Sequence, residues 1–179
     1  MDQAAFETLL DRFSRAAEAG DGEAFAQCFT QDAVYHDYIY GDHAGRAEIA
    51  HMMTHLFHGD AGADYRWEMF DPLVKGDLAY AWSLSSFTST REEFAGRRVV
   101  IDGMSRFRLR DGLICDYAES VNGGLAMAQL GVPPERMAKV FRKWTGWLEA
   151  RSDTQDYLAR KKGTRAKAGQ RRPRSPNSR

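Results

Sequence analysis

Apolar residues recur at helical spacing over the first third of the chain. Between residues 2 and 19 they repeat every three or four positions, which gives one helix face the residues Ala5, Phe6, Leu9, Leu10, Phe13, Ala16 and Ala17. Gly20-Asp21-Gly22 ends this helix and begins a short second helix over 23–29. A strand over 32–37, an irregular loop over 38–45 and a third helix over 46–58 are expected to follow. The amino-terminal part is therefore predicted to be mainly helical.

Long runs of aromatic and β-branched residues begin at Tyr65 and predict four strands. The runs cover 65–74, 78–90, 97–109 and 113–121. Turn-forming segments such as Lys75-Gly76-Asp77 and Arg110-Asp111-Gly112 separate them, and such Gly-Asp and Asp-Gly pairs are typical of β-hairpins. The order of elements predicts an α+β fold in which a strongly curved, mostly antiparallel sheet wraps around the amino-terminal helices.

A helical extension is predicted after the glycine pair at 123–124. A short helix is expected over 125–130, and Pro133-Pro134 begins a longer one. Its apolar side chains fall on one face, which carries Met137, Val140, Phe141, Trp144 and Leu148. This face is expected to cover the mouth of the curved sheet or, alternatively, to contact a second subunit. The predicted organisation is a domain over 1–122, a helical extension over 123–150 and a basic tail over 151–179.

The formal net charge of zero conceals a strong asymmetry along the chain. Residues 151–179 carry ten Lys/Arg and two Asp, whereas residues 1–150 have a net charge of −8. The segment from Lys161 onward contains no aromatic residue, so we expect the tail to be disordered and solvated, lying against the acidic body. Without stacking aromatics or a binding fold behind it, this tail does not predict specific nucleic-acid binding.

Length and composition favour a single compact domain without a membrane partner. The chain has 179 residues, of which 43% are hydrophobic, and no apolar run approaches the length of a membrane span. The amino terminus shows no secretory signal pattern. The two cysteines, Cys28 and Cys115, suit free thiols better than a disulfide framework. These features predict a cytoplasmic protein.

Two acidic strands provide the candidate catalytic residues. In Asp32-Ala-Val-Tyr35-His36-Asp37, Tyr35 and Asp37 share a face because strand side chains alternate. In Asp111-Gly-Leu-Ile-Cys-Asp116-Tyr117, Ile114 and Asp116 share a face. If both strands line one cavity, Tyr35, Asp37 and Asp116 converge inside it.

The roles of these three residues follow from burial. A carboxylate in an apolar cavity loses solvation, its pKa rises, and it becomes a better proton acceptor near neutral pH. Asp37 is therefore predicted to be a general base, Tyr35 its hydrogen-bonding partner and Asp116 a second acid. The alternatives are that Asp37 caps the following loop by accepting backbone amides and that Asp116 is a solvated edge residue.

The strand over 78–90 is predicted to supply a ligand-binding wall. Trp82, Leu84, Ser86 and Thr88 share one face, and Trp82 would stack on a flat ligand. Core packing is the alternative role for this face. Ser105 is predicted to be a small polar residue of the same cavity, whereas Glu119 is expected to face solvent because its parity is opposite to that of Asp116.

Neither metal nor covalent chemistry is predicted. His51 and His55 have a spacing that binds metals, but they lie opposite the apolar face of their helix and no carboxylate pattern completes a ligand set. The sequence contains no nucleophile motif and no phosphate-binding glycine loop. No metal and no cofactor are therefore expected.

An ordered set of short motifs resembles a known superfamily. Gly-Asp-x-Glu-Ala-Phe, Phe-Thr-Gln-Asp-Ala-Val-Tyr-His-Asp, Gly-Arg-Ala-Glu-Ile and Phe-Arg-Leu-Arg-Asp-Gly-Leu-Ile follow one another between about residues 5 and 122. Together they resemble the SnoaL-like, polyketide cyclase-like branch of the nuclear transport factor 2-like and ketosteroid isomerase-like superfamily. The resemblance implies a cone-shaped α+β barrel with a deep hydrophobic pocket, and it implies a homodimer.

The resemblance carries over to individual residues only in part. Asp37 occupies the place of the steroid isomerase base. The two oxyanion donors of those enzymes fall at Phe13 and Ser105, so the oxyanion hole of a steroid isomerase is missing. Phe13 is instead expected to contact a ligand in the pocket. The epoxide hydrolases of the superfamily match at Tyr35 and Asp116. Their Arg-x-Asp pair, however, falls on Ser86-Phe87-Thr88, so the residues that open the epoxide are missing. SnoaL-type cyclases remain compatible with these residues.

The sequence therefore supports a cofactor-independent proton-transfer enzyme of the cyclase, isomerase or dehydratase type that acts on a flat, apolar small molecule. A non-catalytic ligand-binding or dimerisation module with the same fold is the alternative, because fold alone does not establish function. A scaffold that its basic tail delivers to an acidic partner is a third possibility.

Overall fold

The computed structural model describes residues 1–37, 39–62 and 64–160, and it divides the chain into two compact units, Met1–Gly131 and Val132–Arg179. The helices of the first unit are α1 (Gln3–Ala19), α2 (Gly22–Ala26), α3 (Arg46–His51), α4 (His58–Ala61) and α5 (Gly123–Gln129), and a π-helical segment, Met52–Phe57, joins α3 to α4. Its strands are β1 (Phe29–Asp37), β2 (Gly41–Ala44), β3 (Arg66–Lys75), β4 (Leu78–Thr88), β5 (Arg98–Arg110) and β6 (Leu113–Val121).

The six strands form one sheet in the order β2-β1-β6-β5-β4-β3. β1 pairs in parallel with β6, and the other neighbours are antiparallel. The predicted α+β class with a curved sheet is confirmed. The segment predicted as an irregular loop over 38–45 instead contains β2, which returns along β1 with Asp37 opposite Gly41. Positive φ angles at Gly41 and Gly45 give the chain the tight reversals that this return requires.

Helix α1 supplies the centre of the core. Its amino terminus is capped by the Asp2 side chain, and it ends at Gly20 in the left-handed conformation. The apolar stripe predicted from the sequence is buried, and Phe13 lies among other rings, with centroids 4.6 Å from Phe25 and 4.9 Å from Trp67. The inner face of the sheet is thus the face that packs against the amino-terminal helices.

Strand β4 shows which side chains the inner face accepts. Ala79, Ala81 and Ser83 are buried, whereas Trp82 is 40% exposed. This corrects the expectation that the Trp82 face lines the interior. The ring of Phe107, opposite Ala79 and packed on Phe6 of α1, fills the interior beside β4, so this strand places small residues inward and its bulky residues on the opposite, outer face.

Strand β6 contains a β-bulge that changes the facing of its residues. Ile114 pairs with Leu109 and Asp116 pairs with Arg108, so Cys115 is an extra residue between the two pairs. As a result, Ile114 and Tyr117 are both fully buried although they lie three positions apart. A regular strand would have sent one of them to the outer face.

The second unit contains two helices, α6 (Pro134–Ala150) and α7 (Ser152–Ala159). Helix α7 occupies the beginning of the segment predicted as a disordered tail over 151–179, and the remainder, from Lys161, lies outside the described residues. The first unit includes α5, which the sequence placed in the helical extension. In the described part of the chain, every helix is too short or too polar to cross a bilayer.

Candidate active site

The inner face of β1 presents a phenol and a carboxyl group two residues apart. Tyr35 is fully buried and Asp37 is 7% exposed, whereas Val34 and His36 between and beside them are only partly buried. This is the alternation that the sequence predicts for a half-buried strand. Tyr35 and Asp37 therefore reach the interior together, as expected.

Asp37 combines a structural role with an unusual electrostatic environment. Its Oδ1 accepts hydrogen bonds from the backbone amides of Ile39 and Tyr40, both at 2.6 Å, which holds the turn between β1 and β2. Burial raises the pKa of Asp37 to about 6, although these two amide bonds lower it. The capping role considered from the sequence is thus present, and it coexists with a carboxyl group that titrates close to neutral pH.

Three buried tyrosines and a second carboxylate surround this part of the interior. The rings of Tyr35 and Tyr117 are 4.5 Å apart, and Tyr117 Oη donates to Glu119 Oε2 at 3.2 Å. Burial is the main reason that the pKa of Tyr65 is raised, and the charges of Glu119 and Asp37 add to it, so we count Tyr65 with the same group. We call Tyr35, Asp37, Tyr65, Tyr117 and Glu119 the tyrosine–carboxylate cluster.

The phenols of this cluster are built to remain protonated. Burial is the main reason that the pKa of Tyr35, Tyr65 and Tyr117 lies well above the ordinary tyrosine value, and the charge of Glu119 adds to the effect in all three. A phenol that keeps its proton is a hydrogen-bond donor at every physiological pH. The cluster therefore offers donors next to two carboxyl groups, one of which has a pKa near 6.

The two remaining inner residues predicted from the sequence have different surroundings. Ser105 is completely buried, and its Oγ lies 2.9 Å from Tyr117 Oη, so it belongs to the edge of the cluster. Phe13 is also completely buried and contacts the Tyr117 ring at 5.5 Å, but its other neighbours are core aromatic rings. The structure thus places Phe13 in the hydrophobic core.

Asp116 does not join Tyr35 and Asp37. The bulge at Cys115 turns Asp116 to the outer face, where its Oδ2 lies 3.3 Å from His36 Nε2 and its Oδ1 accepts from Arg106 Nη2 at 2.5 Å. His36 Nδ1 lies 2.8 Å from Asp42 Oδ1. We call Asp42, His36, Asp116 and Arg106 the outer ion network, because it crosses four neighbouring strands of the sheet on that face.

Charges fix the protonation of the outer ion network. Burial lowers the pKa of His36, but hydrogen bonds to Asp116 and Asp42 outweigh it and raise the value to about 9. Burial likewise acts to raise the pKa of Asp116, yet the hydrogen bond from His36 and the charge of Arg106 hold it below the usual range. Asp116 is therefore a permanent ion near neutral pH and is poorly suited to carrying a proton.

Two further sequence predictions place residues on the wrong face. Trp82 and Ser86 lie on the outer face of β4, where Ser86 Oγ accepts from Arg98 Nη2 at 3.0 Å. Glu119, expected to face solvent, instead points inward with Tyr117. The sequence does contain a signal for this: Ile114 and Tyr117 are large apolar residues an odd number of positions apart, and only a bulge buries both.

Within the described ranges, no group of three or more His, Cys, Asp and Glu side chains is arranged to hold a metal ion. The ring centroids of His51, at the end of α3, and His55, in the π-helical segment, lie 4.7 Å apart.

Comparison with known proteins places this architecture in context. Residues 10–117 match the family model described as a SnoaL-like domain. The chain is similar to TsrD from Streptomyces laurentii, with 20% identity and a TM-score of 0.65 over 74% of this chain and 99% of that chain. It is also similar to a hypothetical protein with a ketosteroid isomerase-like fold from Catenulispora acidiphila in complex with trimethylamine, with 16% identity and a TM-score of 0.64 over 71% and 95%.

A third solved structure is IdmH from Streptomyces antibioticus, described as a candidate polyketide cyclase, with 22% identity and a TM-score of 0.60 over 70% of this chain and 98% of that chain. At such identities the likeness establishes the fold alone. Among curated proteins, none is significantly similar to this chain. The predicted superfamily branch and the cone-shaped α+β fold of the first unit are confirmed.

Proposed function

The chain belongs to the SnoaL-like domain family, and we propose that it is a cofactor-independent enzyme that moves a proton at an activated carbon of a small apolar molecule. The observation that carries this proposal is the state of Asp37, a buried carboxyl group with a pKa of about 6 inside the tyrosine–carboxylate cluster. Such a carboxyl group is both largely ionised at neutral pH and basic enough to accept a proton from carbon.

The cluster supplies each part of a proton transfer. Asp37 takes a proton from a carbon next to a carbonyl group, the electron pair of that C–H bond forms a C=C bond, and the carbonyl oxygen becomes an enolate. The buried phenol of Tyr35, whose ring lies beside that of Tyr117, donates a hydrogen bond to that oxygen. Protonated Asp37 then returns the proton to another carbon, as in an isomerase. In a cyclase it gives the proton to the alkoxide that forms when the enolate carbon attacks a second carbonyl group, and in a dehydratase to the hydroxyl group that leaves the β-carbon as water.

The position of Glu119 makes it the second acid of this scheme. It accepts the hydrogen bond of Tyr117 and lies on the same face of the sheet, whereas Asp116 lies on the opposite face. A second negative charge beside the cluster disfavours an anionic substrate. Together with the aromatic surroundings, in which the rings of Tyr35 and Tyr117 lie 4.5 Å apart, this favours a neutral, flat and largely apolar ligand.

A non-catalytic ligand-binding module is the second candidate function, and one observation favours it. Both amide hydrogen bonds of the β1–β2 turn end on Asp37, so this residue has a structural role that needs no chemistry. In such a module the tyrosines would bind the ligand and the carboxyl groups would stay unchanged during binding. The two candidates differ in whether the Asp37 proton exchanges with bound substrate.

A substrate-independent titration tests the state of Asp37 first, and an exchange experiment then separates the two functions. We would titrate the Asp37 and Glu119 carboxyl groups by carbon-detected NMR in the wild type and in Glu119→Gln. An enzyme site predicts that Asp37 titrates near pH 6 and that its midpoint falls when the neighbouring charge is removed. The same sample in D₂O with a panel of flat polycyclic ketones would show loss of the exchangeable C–H signal.

The controls define what would contradict the proposal. Asp37→Asn removes the base but keeps an oxygen for the two amides, so it should abolish the deuterium exchange and retain ligand binding. An Asp37 midpoint near the ordinary value of about 4 would show a solvated carboxyl group. That result, or bound ketone whose C–H signal the wild type does not exchange, would favour the binding module. Exchange that persists in Asp37→Asn would contradict the assignment of Asp37 as the base.

We further propose that the protein is a homodimer formed through the outer face of the sheet. Exposed apolar side chains cluster on β3, β4 and β5 and include Phe70, Leu73, Tyr80, Trp82, Leu84 and Met104. Trp82 lies opposite Met104, with Arg106 on one side of this pair and Asp102 on the other. A two-fold axis that crosses the strands at Trp82 would bring Arg106 of each copy toward Asp102 of the other.

Sedimentation velocity tests this interface. Trp82→Glu places a charge at the centre of the patch and is expected to convert a dimer into a monomer. Leu125→Glu, at an exposed apolar residue of α5, is the control and should leave the dimer intact. A wild-type monomer, or a dimer that survives Trp82→Glu, would contradict the proposed face.

The compartment proposed from the sequence is the cytoplasm. Cys28 and Cys115 are free thiols, and burial raises the pKa of both, which makes them less reactive than an ordinary cysteine. A fold held by packing rather than by disulfides suits a reducing environment. Fractionation of cells that express a tagged chain would test this proposal.

A further inference from the structure

Helix α6 separates apolar and basic residues onto two sides. At about 100° per residue, its large apolar side chains fall within an arc of about 120°, which contains Met137, Val140, Phe141, Trp144, Trp147 and Leu148. The basic residues of the helix, Arg136, Lys139, Arg142 and Lys143, occupy the adjoining arc, and Lys143 Nζ lies 4.3 Å from the centroid of the Trp147 ring at its edge. Two tryptophans and a phenylalanine on the apolar side, with lysine and arginine along its border, are typical of a helix that lies at a membrane surface.

The apolar side of α6 is accessible to solvent. Phe141 is 41% exposed, Trp147 is 38% exposed and Leu148 is 51% exposed, and neither α6 nor α7 has a buried residue. Helix α7 adds Tyr157 and Leu158, which are also exposed. Contiguous exposed apolar surface of this kind marks an interaction site. The charge of the surrounding chain indicates which partner fits it.

The charge of the chain is divided at the boundary between the two units. Residues 1–131 carry 21 Asp/Glu and 11 Lys/Arg, a net charge of −10, and residues 132–179 carry 14 Lys/Arg and four Asp/Glu, a net charge of +10. Eight of those basic residues lie between 161 and 179, where the sequence has no acidic residue. The exposed aromatic helix therefore belongs to a strongly cationic part of the chain.

We propose that the carboxy-terminal unit binds the surface of an anionic lipid bilayer through the apolar side of α6, with the basic residues of 132–179 attracted to the headgroups. Stable peripheral binding requires two contributions, insertion of apolar side chains and electrostatic attraction, and this segment has both. Surface binding needs no spanning helix, so it agrees with the absence of a span among the described residues. This inference is independent of the proposed enzymatic function.

An anionic bilayer explains both features, whereas other partners explain one. A nucleic acid would neutralise the basic charge but leave Phe141, Trp147 and Leu148 in water. A second copy of the chain would cover the apolar side, yet it would bring two segments of net charge +10 together. A bilayer with acidic headgroups takes the aromatic side chains at its interface and the lysines and arginines at its surface.

Vesicle sedimentation with the full chain tests the inference. The probes are vesicles of phosphatidylcholine alone and of phosphatidylcholine with about 30% phosphatidylserine, an acidic lipid that attracts basic segments. The matched variants are Leu148→Glu on α6 and Leu125→Glu on α5, where the leucines are 51% and 46% exposed. A second variant, Phe141→Glu with Leu148→Glu, removes more of the apolar side, and circular dichroism reports whether each variant folds.

We expect binding to the acidic vesicles, little binding to phosphatidylcholine, and loss of binding when salt is raised from about 0.1 to about 0.5 M. Leu148→Glu should weaken partitioning about tenfold or more, because it places a charge in the inserted side, and Leu125→Glu should leave it unchanged. Tryptophan emission should shift to the blue when vesicles are added to the wild type and to Leu125→Glu only.

Four results would overturn the inference. The first is no binding to either kind of vesicle, and the second is equal vesicle binding by the double variant and the wild type. The third is binding of a DNA duplex by all variants in the absence of vesicle binding. The fourth is a dimer in sedimentation velocity that Leu148→Glu dissociates without any effect of lipid. The second result would assign binding to the basic residues alone, the third to nucleic acid and the fourth to a second copy.

Discussion

Asp37 and Asp116 lie on neighbouring strands, β1 and β6, but on opposite faces of the sheet. Asp37 points inward, and burial raises its pKa to about 6. Asp116 points outward between His36 and Arg106, and these two groups hold its pKa below the usual value. An aspartate is therefore a proton acceptor on one face and a permanent ion on the other, because the groups around each carboxyl set its pKa.

The largest expected difference between the two residues is in catalysis. Asp37→Asn should lower kcat on an identified substrate by about 10²- to 10⁴-fold, since a general base commonly contributes that much. Asp116→Asn should change kcat by no more than about threefold, because the residue cannot reach the cluster. Steady-state kinetics of the two folded variants checks this. Equal losses in both would remove the functional distinction between the faces.

The next difference is in the dependence of stability on alkaline pH. The pKa of His36 is about 9 in the folded protein against 6.5 for an ordinary histidine, so the folded state binds this proton more tightly. The resulting stabilisation is complete below pH 6.5 and is lost as the pH rises to about 9. The difference between the two pKa values corresponds to about 3 kcal/mol. Because His36 and Asp42 are partly exposed to solvent, which screens their interaction, wild type should lose about 2 kcal/mol over this window relative to His36→Gln, as measured by urea unfolding. Parallel pH profiles of the two proteins would show that His36 is not held as an ion.

Removing the outer carboxylate should also destabilise the fold. Asp116→Asn leaves His36 and Arg106 half-buried without their shared anion, at a cost of about 1–2 kcal/mol in free energy of unfolding. Asp11→Asn is the matched control, because Asp11 and Arg15 form an exposed pair that contributes less than about 0.5 kcal/mol. Chemical denaturation at pH 7 measures both. If Asp11→Asn lowered the free energy of unfolding as much as Asp116→Asn does, the outer ion network would stabilise the fold no more than an exposed ion pair.

The smallest effect has the opposite sign. Because the pKa of Asp37 is raised from 3.8 to about 6, ionising it in the folded protein costs free energy. This cost corresponds to about 3 kcal/mol, and the weaker bonds of a neutral amide to the Ile39 and Tyr40 amides offset part of it. Asp37→Asn should therefore be more stable than wild type by about 1 kcal/mol above pH 6, and the gain should shrink as pH falls toward 4. Thermal unfolding at several pH values would detect it. A variant that is less stable at every pH would mean that the amide cap dominates at this position.

The fold was predictable because its signals are local. Helical periodicity over α1 and Gly-Asp or Asp-Gly pairs between β-branched runs identified most elements and the α+β class. Strand β2 was missed because it has four residues, Gly41–Ala44, and no apolar alternation; its existence depends on pairing with β1. Pairing partners are a tertiary property, which the pattern of one segment does not contain.

The site was only half predictable, and the reasons are geometric. Alternation alone correctly placed Tyr35 and Asp37. Asp116 and Glu119 exchanged faces because of one extra residue in β6. Trp82 and Ala81 exchanged faces because rings from the neighbouring elements, such as Phe107 opposite Ala79, already fill the interior beneath β4 and leave room only for small side chains there.

The bulge at Cys115 also determines where this chain can change in length. Two residues separate Ile114 from Tyr117, in a place where regular pairing would have one. Deleting Cys115 would thus leave Ile114 and Tyr117 facing the interior. Deleting Ala118 would instead send Glu119 to the outer face and separate it from Tyr117. Evolution can shorten β6 by one residue at this point without dismantling the buried cluster, so insertions and deletions should accumulate here more readily than two or three positions further along the strand.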